Sequence, residues 1–329
     1  MQRILIIQTA SIGDVILATP LVEEVHRLYP FAQIDFLLKK GNESLFDHHP
    51  FLHRVFIFDK KKNKFWQVLK LLTDIRKEQY DLIINVQRFF TSGLITILSG
   101  AKQTAGFNKN PCSVFFSIRI KHHIDSGEKL HEVERNLMLI AHLGAKKKLR
   151  PQLYLPHDFV NKLAGEREYF CIAPASLWFT KQFPEEKWIE LIHQAPSGLN
   201  VILLGSRPDF MLCEKIKTSC SGKKVYNYAG QLNLLETAAV MKDAKMNFVN
   251  DSAPMHLASA VNAPVAAIFC STVKDFGFTP LSDQSFVIET DEKLNCRPCG
   301  LHGHKECPEK HFRCSKIDVN YLLKETKLV

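Results

Sequence analysis

Long apolar runs are absent from this chain of 329 residues. No uninterrupted stretch approaches the ~18 residues that a membrane-spanning helix needs. The first apolar run, Ile4 to Ile7, has neither the length nor the cleavage site of a signal peptide, so a cytosolic protein is expected. Low-complexity segments and repeats of solenoid period are also lacking, which argues against disorder and against stacked-repeat folds. The first strand candidate is not followed by a glycine-rich dinucleotide fingerprint. It continues as Thr9-Ala10-Ser11-Ile12-Gly13-Asp14, which argues against a dehydrogenase. No aromatic RNA-binding signature appears and the cations are dispersed, which argues against a nucleic-acid-binding protein.

What is present is a globular composition, 46% apolar and 23% charged, in a chain suited to two domains of about 150 residues each. The formal net charge of +9 points to an anionic partner; nucleic acid, a phosphorylated glycolipid and the inner membrane surface all fit charge alone. Nine cysteines in a cytosolic chain read as reduced or metal-bound thiols rather than a disulfide scaffold. Cys112, Cys171, Cys213, Cys220 and Cys270 are scattered and read as small buried or surface residues.

Strand and helix signals alternate along the first half. Arg3 to Gln8 reads as a buried strand, then come a Gly13-Asp14 turn and a helix reaching about Tyr29. Pro20 falls inside that pattern, so the helix either starts there with Thr19 as its cap or starts near Gly13 and kinks. Gln33 to Leu38, Arg54 to Phe58 and Asp81 to Val86 read as strands. Phe65 to Arg76 and Glu132 to Leu143 read as helices, the second closed by Gly144. Lys146-Lys147-Lys148-Leu149-Arg150-Pro151 breaks the pattern and marks a linker. The second half repeats the alternation: strand Tyr169 to Ala173, helix Glu185 to Gln194, strand Asn200 to Leu204, helix Leu234 to Lys242, then strands Met246 to Val249 and Val265 to Phe269. The expected fold is α/β: two doubly wound, Rossmann-like domains with parallel sheets, residues 1–150 and 151–329, facing each other across a cleft.

Ligands of open parallel sheets bind beyond the carboxyl ends of the strands. That rule selects Thr9 to Asp14, Pro174 to Lys181, Gly205 to Asp209 and Asp251 to His256. The last group is the most informative. Asp251-Ser252-Ala253-Pro254-Met255-His256 opens a helix, with Asp251 or Ser252 as its cap and Pro254 in its first turn. The amides and dipole of such an end seat a phosphate, so a nucleotide-type ligand is expected.

These stretches carry a family resemblance. Ser11-Ile12-Gly13-Asp14-Val15-Ile16-Leu17-Ala18-Thr19-Pro20, Tyr80-Asp81-Leu82-Ile83-Ile84, Gly106-Phe107 and His131-Glu132-Val133-Glu134-Arg135 match in the first half. Pro174-Ala175-Ser176, Thr180-Lys181-Gln182-Phe183-Pro184, Ala229-Gly230 and the run Asp251 to Ala258 match in the second. The chain resembles glycosyltransferase family nine, the lipopolysaccharide heptosyltransferases. The resemblance implies the GT-B architecture and inverting, metal-independent transfer of a heptose from ADP-heptose to the lipopolysaccharide inner core. It implies Asp14 as general base, Lys181 near the donor phosphates and Asp251 beside the donor. Asp209 falls where a glutamate commonly holds the ribose hydroxyls. Ser11, Gly13, Ser176, Thr180, Ser252, Ala253, Met255 and His256 complete the expected substrate-binding set. No cofactor and no nucleic acid are implied. The implied acceptor is an anionic glycolipid, and the expected place of the enzyme is the inner face of the cytoplasmic membrane. The chain departs from the family pattern at Ala253 and Ser206, where glycine is usual, and at Phe269-Cys270-Ser271-Thr272.

Two segments admit more than one reading. Cys296, Cys299, Cys307 and Cys314 have the spacing C-x2-C-x7-C-x6-C, with His302, His304 and His311 interleaved. Such spacing suits a closed structural zinc, a stapled loop or reduced thiols, and a place away from the chemistry is expected. Lys60-Lys61-Lys62-Asn63-Lys64-Phe65-Trp66 is either a solvated loop before a helix or a contact with anionic lipid. Two other functions stay open: the same fold with another nucleotide sugar, and a basic zinc-containing nucleic-acid binder.

Overall fold

The computed structural model describes residues 2–59, 64–124, 129–146, 148–156 and 168–328. It divides into two compact units, Met1–Tyr154 and Leu155–Val329. The division lies four residues beyond the expected boundary between residues 150 and 151. Residues 152 and 154 stay with the first unit because the Gln152 amide donates to Thr19 Oγ1 at 2.9 Å and the Tyr154 hydroxyl to Glu23 at 3.1 Å.

In the first unit, β1 (Arg3–Gln8), β2 (Gln33–Lys39), β3 (Leu52–Phe58), β4 (Leu82–Asn85), β5 (Gln103–Phe107) and β6 (Ile118–Ile120) form one parallel sheet. Its order is β3-β2-β1-β4-β5-β6, so the chain reverses its direction of winding between β1 and β4. α1 (Ile12–Leu17), α2 (Thr19–Leu28), α3 (Lys64–Glu78), α4 (Phe90–Leu98) and α5 (Glu132–Met138) make the connections. β1 is nearly all apolar because both sheet faces are covered, as a central parallel strand requires. Leu5, Ile7, Leu37, Phe58, Ile75, Tyr80 and Ile83 pack into one core.

The region around Pro20 follows neither expectation. α1 ends at Leu17 and α2 starts at Thr19 with Ala18 as N-cap and Pro20 in the first turn. Pro20 needs no amide partner there, and Thr19 Oγ1 instead bonds back to the Ile16 carbonyl at 2.8 Å. The expected helix Glu132 to Leu143 is also two pieces, α5 and a 3-10 turn Ala141–Leu143, with Gly144 in the left-handed conformation that closes it.

The second unit repeats the plan. β7 (Tyr169–Ala173), β8 (Asn200–Leu203), β9 (Val225–Asn227), β10 (Asn247–Asn250), β11 (Val265–Phe269) and β12 (Ser285–Glu289) form a parallel sheet of order β12-β11-β10-β7-β8-β9. The crossover helices are α6 (Glu185–Gln194), α7 (Phe210–Ser219), α8 (Leu234–Lys242) and α9 (Ala253–Ala260). The final helix α10 (Val319–Glu325) buries Val319, Leu322 and Leu323 in the core with Phe170, Trp188 and Phe248. Here the winding reverses between β7 and β10. Among the described residues no helix is long and apolar enough to cross a membrane.

Candidate active site

Three of the four sequence-selected groups follow neighbouring strands of the second sheet: Pro174 to Lys181 after β7, Gly205 to Asp209 after β8, and Asp251 to His256 after β10. The first and third flank the switch point, where doubly wound sheets open a crevice. Lys181 ends a 3-10 turn, Phe179–Lys181, and its Nζ lies 2.6 Å from Asp251 Oδ2. The side chains are 14% and 8% exposed, so the pair sits at the rim of the crevice with little water around it. Thr272, just past β11, donates its hydroxyl to the same carboxylate oxygen at 2.6 Å. Asn250, fully buried, joins the two loops: it donates to the Pro174 carbonyl at 2.8 Å and accepts from the Phe183 amide at 2.9 Å.

The cap expected at α9 is not made by either candidate. Ser252 occupies the N-cap position, but its side chain makes no cap bond, and Asp251 is turned to Lys181 and Thr272 instead. A carboxylate gains more from a buried cation than from an amide dipole, and this competition sets its rotamer. Ser252 and Ala253 are half-buried at the helix start. The Met255 side chain is fully buried and that of His256 nearly so, and both residues belong to α9. Ser176 is half-buried, and its carbonyl accepts from Gln182 Nε2 at 2.7 Å.

Asp209 is drawn back onto its own turn. Its Oδ2 accepts from the Ser206 amide at 2.7 Å and the Ser206 hydroxyl at 2.5 Å. The first unit carries the same device after β1. Asp14 Oδ2 accepts from the Ser11 amide at 3.1 Å and its hydroxyl at 2.5 Å. Gly13 is buried beside it. α1 is held from behind by α5, where Asn136 Nδ2 donates to the Leu17 carbonyl at 3.1 Å. Asp14 is thus a half-exposed carboxylate on a fixed turn at the carboxyl edge of its sheet.

The cysteine-rich segment departs from expectation in its location. It was expected away from the chemistry, yet it lies against Thr180 and Ser271. The physical reason is Arg297, whose guanidinium donates to the carbonyls of Phe269, Cys270 and Thr272 and pairs with Glu289 at 2.7 Å. Phe269 ends β11 and Cys270 and Thr272 follow it, so the arginine draws the loop over the strand end. The Cys299 amide adds a bond to Ser271 O at 2.8 Å. Burial, then the neighbouring Cys299 and Cys307 thiols, push Cys314 up to about 11. Among the described residues no three His, Cys, Asp or Glu side chains form a set able to hold a metal ion. Cys296 Sγ lies 3.8 Å from His311 Nε2, and Cys299 Sγ turns to the Cys296 carbonyl at 3.1 Å.

Thr272, Ser271, Asn250, Arg297 and Gly303 were not singled out from sequence. Ser271-Thr272 appeared only as a departure from a family turn. Arg297, between two cysteines of a loop, carries no sequence signal of its role.

The geometry defines a doubly wound protein with a cation and a carboxylate at a switch-point crevice. Residues 68–312 match the profile of glycosyltransferase family 9 (heptosyltransferase), and the chain belongs to that family. It is 27% identical over 296 residues to lipopolysaccharide heptosyltransferase 3 of Escherichia coli K12, covering 79% of this chain and 80% of that one. The fold matches E. coli ADP-heptose lipopolysaccharide heptosyltransferase II with a TM-score of 0.81 at 22% identity, over 99% of this chain and 98% of that one. An E. coli heptosyltransferase solved with ADP matches with a TM-score of 0.74 at 21% identity, over 99% of both chains. Family membership makes the protein a glycosyltransferase and displaces the nucleic-acid-binding alternative.

Proposed function

We propose that the protein transfers a heptose from ADP-heptose to the inner core of lipopolysaccharide, with inversion and without a metal. In this reading the second unit binds the nucleotide sugar and the first unit the acceptor. The observation that carries it is the Lys181–Asp251 pair at the switch point of the second sheet. The names of the relatives and the ADP bound by a structural neighbour support the donor.

The acceptor hydroxyl attacks the anomeric carbon from the face opposite ADP. The bond from that carbon to the diphosphate oxygen breaks, and the hydroxyl proton passes to Asp14. ADP leaves with the charge that develops on it, and Lys181 stabilises that charge where other enzymes use a cation. Asp251 holds the lysine in place. No cofactor takes part, and no step runs through the cysteines.

The acceptor is an anionic lipid, and the first unit has a surface suited to one. From Leu82 to Ile124 the chain carries Arg88, Lys102, Lys109, Arg119 and Lys121 and no Asp or Glu. Phe89 and Phe90 at the start of α4, together with Val114 and Phe115, are exposed there. Phe65 and Trp66 at the start of α3 are each 66% exposed, while Lys60 to Asn63 lie outside the described residues. Cations interleaved with exposed aromatics favour a peripheral seat on an anionic bilayer.

The test is a donor screen by mass spectrometry with several nucleotide sugars and a deacylated core acceptor. Heptose addition from ADP-heptose, with inverted configuration in the product, is expected. Transfer from a different nucleotide sugar alone would overturn the donor.

A further inference from the structure

We propose that the cysteine-rich loop is a positioning element of the donor site: Gly303 and the His304 backbone set Lys181, and Arg297 anchors the loop that carries them. The proposal rests on the reading of Lys181 as a donor ligand.

The contact is built from several bonds. The Thr180 amide donates to the His304 carbonyl at 3.1 Å, and the His304 amide donates to Thr180 Oγ1 at 2.8 Å. Ser271 Oγ donates to the same threonine oxygen at 3.1 Å. The residue before Lys181 is therefore buried and held from two sides. Gly303 lies directly over this turn. A β-carbon there would stand 2.8 Å from Thr180 Oγ1, 3.0 Å from Lys181 Cγ and 3.1 Å from Ser271 Oγ, all tighter than ordinary contact. Its φ of +75° is a conformation that side chains disfavour, so glycine is demanded twice at this position. Farther along the loop, the Phe312 ring packs on Phe179, the first residue of the same turn, with centroids 5.0 Å apart.

Lysine binds phosphate as a point charge on a flexible four-carbon stem, so an unrestrained lysine loses rotamer freedom on binding. Here the two ends of that stem are fixed by different means. Asp251 holds Nζ, and Gly303 lies so close beside Cγ that even one added carbon there would press on the stem. Arg297 links the two restraints. It bonds the Thr272 carbonyl at 2.7 Å, and Thr272 in turn bonds Asp251. A loop that organised only itself would need none of these contacts. Fixing a ligand before the donor arrives removes an ordering cost from the reaction.

The experiment is a double-mutant cycle on the full chain with Gly303→Ala and Lys181→Ala, reading ADP affinity by calorimetry and steady-state rates for donor and acceptor. Gly303→Ala should raise the donor KM and lower kcat/KM for the donor by about 10- to 100-fold, with the acceptor KM unchanged. In the Lys181→Ala background the same change should add nothing, because a positioning residue has no effect once the group it positions is gone. If Gly303→Ala does not fold, Phe312→Ala, which removes the ring from Phe179, should give the same pattern more weakly. Wild-type donor kinetics in a folded Gly303→Ala protein would overturn the proposal while leaving Lys181 in its role, and so would a loss that adds fully to that of Lys181→Ala. A silent Lys181→Ala would instead remove the reading on which the proposal stands.

Discussion

Lys181 Nζ and Asp251 Oδ2 stand 2.6 Å apart, across the point where the second sheet reverses its winding. The pair is nearly dry, so each charge depends on the other. Lys181→Ala removes the cation and leaves the carboxylate facing the donor diphosphate. ADP affinity should fall about 10- to 100-fold, the loss of a charged bond of ~1.5–3 kcal/mol, with a parallel fall in turnover. Asp251→Asn should keep the Thr272 bond yet lower stability by about 2–3 kcal/mol, below the usual ~3–5 because Lys181 retains some water. Calorimetry and chemical denaturation measure these outcomes; unchanged ADP affinity and rate in Lys181→Ala would remove it from the site.

Asp14 is held by Ser11 through both the amide and the hydroxyl. Asp14→Asn should leave ADP binding intact and lower turnover by at least ~100-fold, the usual cost of losing a general base. Ser11→Ala frees the carboxylate from its hydroxyl and should reduce turnover less. Wild-type turnover in Asp14→Asn excludes it as the base.

Phe89 and Phe90 are exposed at the start of α4. Phe89→Ser with Phe90→Ser should reduce co-sedimentation with phosphatidylglycerol vesicles and leave the rate on a deacylated acceptor unchanged. Added salt should weaken binding further, since the cations contribute by a screened attraction. Equal binding to zwitterionic vesicles would count against this surface.

Glu24, buried in α2, bonds the Arg27 guanidinium at 2.6 Å and the Lys146 amide at 2.6 Å. The Arg27 bond, set against burial, holds its carboxyl below the usual carboxylate range. A carboxyl lowered by folding stabilises the native state at neutral pH, and this contribution is lost as pH falls through the depressed value. The stability difference between wild type and Glu24→Gln should therefore be largest near pH 7 and shrink on acidification below about pH 4, the ordinary carboxylate range. Denaturation midpoints across that range check the sign.

Chelation provides a further check. In the proposed mechanism Lys181 supplies the positive charge at the leaving group, so excess EDTA should leave the transfer rate unchanged. Loss of transfer in a protein that stays folded would make a metal catalytic.

Much of the protein was legible in one dimension. β7, α6, α8 and β11 fall on the residues expected from periodicity, because a strand covered on both faces must be a continuous apolar run. The residues read as a Gly13-Asp14 turn are the first turn of α1, and like the Asp251 to Ala258 run they follow a strand end, where a parallel sheet places its ligands. α4, α7 and the edge strands β6, β9 and β12 were not, since short edge strands and mixed faces give weak periodicity.

The sequence by itself determined the alternation, hence the parallel sheets and the loops that carry the chemistry. It named Lys181 and Asp251 separately, with Asp251 or Ser252 as the helix cap and Asp251 beside the donor. Only the tertiary structure decided that the two form one ion pair, with Thr272 as a third member. It also brought Gly303 from more than a hundred residues away to lie over Lys181. Local pattern encodes which face of an element is buried. Which carboxylate meets which cation depends on loops after different strands, and that juxtaposition arises only when the sheet orders β10 beside β7.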